Sequence, residues 1–182
     1  MTEQGPAVSR LCIATAPNAT GPLSSIQESG GFYRLHLMTD PADGAEFAVA
    51  APGMDEVSLI SDLIAALRDH VMAIPGLRRP VLVGFHMGIT RLTGVGFSGK
   101  GVERALALVR DPAIAVRASA RVTLAGSAHT DPRLAAAITA GFFEDLSTEG
   151  LSGAGWQRVP PASAWLRLFD GAPGGRRRSL AR

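Results

Sequence analysis

The segment DEVSLISDLIAALRDHVMAI, residues 55–74, constrains this chain more than any other, because Pro52-Gly53 and Pro75-Gly76 fence it on both sides. Val57, Ile60, Leu63, Ile64, Leu67, Val71 and Ile74 recur at helical spacing, and Asp55 and Glu56 place negative charge where a helix N-terminus is partially positive. A stripe of that length needs a surface to cover. The neighbouring segments supply one. FYRLHLM and AEFAVAA read as strands near 32–38 and 45–51 joined through TDPADG as a hairpin, and RRPVLVGFHMGITRL reads as a mostly apolar, central strand.

The rest of the chain extends this pattern. RLCIATA predicts a strand near 9–16, stopped by Pro17, and the small, polar stretch 17–31 leaves room only for a short helix over Leu23 to Glu28. A helix over about 100–110 buries Val102, Leu106 and Val109 and stops around Asp111-Pro112. A strand at 121–126 then leads to Asp131 as N-cap and Pro132 as first residue of a helix running to Leu146, with Leu134, Ile138, Phe142 and Leu146 buried. AWLRLFD, 164–170, is a last extended piece. The first six elements follow a βαββαβ plan, an α+β sheet backed by helices on one face.

Composition bounds the class. The 182 residues, 46% hydrophobic and 19% charged, suit one domain over 9–170 between a flexible N-terminus, 1–8, and a disordered basic tail, 171–182. A net charge of +2, much of it in GGRRRSLAR, gives no strong nucleic-acid signal. The tail reads as a solvated terminus, with Ser179 as its one modifiable residue there. The single Cys12 forbids an internal disulfide and suits a reducing compartment as a buried, inert thiol. No apolar run reaches membrane-spanning length and MTEQGPAVSR lacks the features of a secretion signal, so the expected location is the cytoplasm, with no membrane partner.

Residues 94–101, GVGFSGKG, come one position short of the phosphate-binding pattern GxxxxGK[ST], since Gly101 stands where a hydroxyl should reach Mg²⁺. They sit between a strand and a helix and hold Lys100, the chain's only lysine. Four strands precede them, however, and the only strand ending in an acid, with Asp170, comes last. Histidines 36, 70, 86 and 129 show no metal-binding spacing, so His86 reads as a packed histidine on a strand, and Ser127, His129 and Asp131 as a strand end and helix cap. Trp156 and Trp165 read as core or interface anchors.

VLVGFHMGITRLTGVGFSGKGVERALALVRDPAI resembles a segment of the class III nucleotidyl cyclases, the adenylyl and guanylyl cyclase family, closest to short domains of actinobacterial type. His86-Met87-Gly88 matches a His-x-Gly step, Phe97-Ser98-Gly99 an aromatic-x-Gly loop, and Ala164-Trp165 an Ala-Trp pair in the final strand. The resemblance spans about 9–170 and implies a ferredoxin-like βαββαβ core with a mixed, mostly antiparallel sheet, here with its first helix shortened. It also implies a site shared between two chains, hence a homodimer, and two metal-binding aspartates. The first-strand aspartate falls at Ala14 or Thr15. At the hairpin, Asp43 stands as a weak metal candidate or as a turn-stabilising residue. The helix positions implied to carry Asn and Arg hold Glu103 and Ala107, which supply neither a ribose donor nor a cation.

The expectation is therefore a catalytically degenerate cyclase-like regulatory or interaction domain with no catalytic residues at Thr15, Glu103 and Ala107. Gly94, Gly96, Ser98, Gly99, Lys100 and His86 are the candidates for residual nucleotide binding, beside a possible protein partner. The alternatives are an active cyclase with an atypical site, using Mg or Mn, and an unrelated phosphate-loop NTP-binding protein.

Overall fold

The computed structural model describes residues 5–17, 21–29, 32, 34–120 and 132–170. Among these residues eight strands, β1 (Val8–Thr15), β2 (Leu35–Thr39), β3 (Glu46–Ala50), β4 (Val81–Thr93), β5 (Gly96–Ser98), β6 (Pro132–Thr139), β7 (Trp156–Val159) and β8 (Ala164–Asp170), form one mixed sheet. Its order is β2-β3-β1-β4-β6-β8-β7, with β5 paired to the outer half of β4. Only β4 and β6 run parallel; the other neighbours are antiparallel. Gly5 already donates its N–H to Leu92 O at 3.0 Å, so the chain is held to β4 ahead of β1.

Among the described residues five α-helices pack on this sheet: α1 (Pro22–Glu28), α2 (Glu56–Ala73), α3 (Lys100–Arg110), α4 (Pro112–Ala118) and α5 (Ala140–Thr148). They cover both faces, not one as the βαββαβ plan predicts. Leu11 and Ile13 of β1 point to α1, α2 and α5, while Cys12 and Ala14 point to α3 and α4. The residues after the sixth element are the reason: α3 and α4 carry apolar faces of their own, Val102, Leu106, Val109 and Ile114, and the sheet's second face is equally apolar.

Asp55 caps α2 by accepting from Ser58 N–H at 3.0 Å, and Leu59, Ile60, Leu63, Leu67 and Val71 are buried. The other end of α2 is closed from a distance: the Arg133 guanidinium donates to Val71 O at 2.9 Å and to Ile74 O. The short α1 is held in a similar way. Gly21 offers no side-chain cap, and the Glu46 carboxylate on β3 instead accepts the Leu23 and Ser24 N–H groups at 2.9 and 3.2 Å.

Residues 132–146 depart from the sequence reading. The expected helix from Pro132 is strand β6 as far as Thr139, and helix begins only at Ala140. Leu134, Ile138, Phe142 and Leu146 are buried as expected, but the first two reach the core by strand alternation, with Ala135 and Ala137 filling the opposite face. Pro132 fits the first position of a strand, where no ladder N–H is required of it. Asp111-Pro112 ends α3, as predicted, yet Asp111 then accepts from Ala113 and Ile114 N–H groups and starts α4. The expected strand 121–126, Ser127, His129, Asp131 and the tail 171–182 lie outside the described residues.

Candidate functional site

The loop 94–101 is a hairpin return. Thr93 pairs with Gly96 and Arg91 with Ser98, so β4 turns through Gly94-Val95 and comes back as β5 before α3 begins. The strand, loop and helix of a phosphate cradle are therefore interrupted by an added strand. Gly99 has φ 122° and a Cβ there would stand 2.7 Å from Ile89 O, so glycine is required for the chain to cross β4. Gly101 is fixed by contact too. A Cβ on it would meet Cys12 Sγ at 2.8 Å and the carbonyl of Gly88 at 2.9 Å. The residue that breaks the phosphate-binding pattern is thus the one that lets the first turn of α3 rest directly on β1 and β4.

This contact brings His86 beside the start of α3. His86 and Thr139 face each other across β4 and β6, with His86 Nδ1 2.9 Å from Thr139 Oγ1. Burial, and secondarily the positive charge of Arg104, holds the imidazole below its ordinary pKa, so it is neutral at pH 7. Which ring nitrogen carries the proton depends on the direction of the Thr139 bond. Thr139 was not singled out by the sequence. The remaining nucleotide candidates do not converge on this pair: Gly94, Ser98 and Lys100 are exposed, and Gly96 and Gly99 serve the hairpin.

The β2–β3 turn holds the second polar cluster. Asp43 accepts from Ala45 N–H at 3.0 Å, the turn-stabilising role foreseen as one of its two alternatives. Both its oxygens also accept from Arg110, at 2.9 Å from Nε and 2.8 Å from a terminal nitrogen, and Asp40 accepts from the same guanidinium at 2.6 Å. These bonds hold both carboxyls below the usual range and push the Arg110 pKa up. The cation opposite Asp43 is therefore an arginine of the same chain. Among the described residues no group of three or more His, Cys, Asp or Glu stands together as a metal centre.

No protein-family profile matches the chain, and neither does any curated protein.

Thr15 closes β1, fully buried, and its Oγ1 has no hydrogen-bond partner among the described residues. Glu103 and Ala107 lie on the outward stripe of α3, which ends at Arg110. Arg110 had a sequence signal, a helix-terminal cation three residues beyond Ala107, but only the fold shows that the turn DPAD reaches it. Cys12 is buried, its thiol pushed up to about 12 by desolvation, and it is inert as expected.

Proposed function

We propose that this chain is a class III nucleotidyl-cyclase-like domain that has exchanged catalysis for a regulatory or interaction role. The strand order β2-β3-β1-β4, antiparallel throughout, with α1 and α2 together on one face, supports a ferredoxin-like core of that type. The observation that carries the functional reading is the state of the two metal positions. Thr15 encloses a hydroxyl where an anionic ligand is needed, and the Asp43 carboxylate already neutralises Arg110. Glu103 and Ala107 add no donor or cation for a triphosphate.

The interaction half of the reading rests on the arm formed by β4 and β5. Ile89, Leu92 and Val95 are large apolar side chains left 58%, 52% and 96% exposed on β4 and on the turn that joins it to β5. A second copy of the chain is the proposed occupant, in keeping with the dimer that the resemblance implies.

Incubation of the protein with each of ATP, GTP, CTP and UTP plus Mg²⁺ or Mn²⁺ tests the catalytic part. No cyclic product is expected, and cyclic product lost on Asp43→Ala overturns the proposal. Linear diphosphate, with nucleotide binding abolished by Lys100→Ala, points instead to an unrelated NTP binder. Sedimentation tests the assembly: a dimer is expected for the native chain and a monomer for Ile89→Ser/Leu92→Ser/Val95→Ser.

A further inference from the structure

A cleft of about 530 Å³ opens on the α3–α4 side of the sheet, where β1 ends and β4 begins. Its floor is aliphatic and well buried: Leu82 of β4, Val109 of α3 and Ala118 of α4, with Leu77 at the side. The rim is basic. Arg78 and Arg79, both exposed, precede β4, and Arg110 closes the opposite side at the end of α3. The ion pairs found among the described residues occupy Arg110, through Asp40 and Asp43, and do not involve Arg78 or Arg79. An aliphatic floor beside two exposed cations that have no carboxylate partner among the described residues offers one apolar and one anionic recognition feature.

We propose that this cleft binds a small aliphatic acid, its hydrocarbon body on Leu82, Val109 and Ala118 and its carboxylate at Arg78 and Arg79. The chemistry favours an aliphatic body over a nucleobase, because among the described residues no aromatic side chain lines the cleft to stack on a ring. It favours an anion over a neutral lipid, because a carboxylate forms charge-assisted, bidentate bonds with arginine that a neutral headgroup cannot form. The cleft shares Arg110 with the Asp43 cluster, but its occupancy is read by decanoate binding and the cyclase-like reading by cyclic product, so the two can fail independently.

Calorimetric titration of the full chain with decanoate tests this, with 1-decanol, inorganic phosphate and AMP as comparison probes. Saturable binding of one decanoate per chain is expected, with the alcohol and phosphate each binding at least about tenfold more weakly, as the loss of either half of the recognition implies. Arg78→Ala/Arg79→Ala weakens decanoate about tenfold or more. Ala115→Trp, an exposed lining position, abolishes it by filling the cleft while preserving the fold, checked by circular dichroism. Absence of saturable decanoate binding, or binding that both variants leave intact, overturns the proposal. AMP binding more tightly than decanoate, and sensitive to the same variants, overturns the aliphatic assignment.

Discussion

At the scale of single residues, polar side chains in this protein are used mainly to hold backbone. Glu46 caps α1, Arg133 closes α2 and Arg110 ties the β2–β3 turn to α3. Arg110→Ala is expected to accelerate amide hydrogen exchange across residues 40–45 while leaving α2 unchanged. Acid has the same effect: the two aspartates are depressed below 3.8 in the fold, so their contribution is present above that value and is lost as pH falls through the folded pKa values. His86 works at a higher pH. Its folded pKa lies below 6.5, so on acidification the unfolded chain takes up a proton first and stability declines as pH falls below 6.5. Thermal denaturation between pH 7.5 and 5 is expected to show this slope in the native chain and a shallower one in His86→Gln. An equal slope in both removes His86 as its source.

At the scale of elements, the junction of β4, β5 and α3 decides how the second face is built. The first turn of α3 meets β4 through Gly88 and Gly101, backbone against backbone. Gly101→Ser restores the phosphate-binding pattern on paper, but it is expected to destabilise the protein by about 1–3 kcal/mol through overpacking against Cys12 and Gly88. Chemical denaturation measures this, and a neutral result would show that α3 can lift from the sheet. In α2, the fully buried Leu67 belongs to the core on the other face of the sheet from α3, and Leu67→Ala is expected to cost about 2–5 kcal/mol in the same assay. Both α2 and α3 were legible in the sequence, α2 because cap, breakers and apolar spacing agree and α3 because its apolar spacing ends at the Asp111-Pro112 breaker. β6 was not. LAAAIT satisfies a helical and a strand period at once, and alanine favours helix locally, so only its place between β4 and β8 settles it.

At the scale of the whole molecule, a single sheet separates two apolar layers, α1, α2 and α5 on one side and α3 and α4 on the other. No helix among the described residues is long and apolar enough to cross a membrane. The sequence alone determined the α+β class, the boundaries of α2 and α3 and the β2–β3 hairpin, since each depends on local period and turn chemistry. It also identified Asp43 and Gly101 as positions that matter. The tertiary structure alone decided that helices cover both faces, that Arg110 takes the Asp43 carboxylate, that His86 meets Thr139 and that Arg78, Arg79 and Arg110 ring one cleft. Those partners are separated by tens of residues, and no local preference encodes such a meeting. It arises only when the sheet order brings the ends of distant strands and helices together.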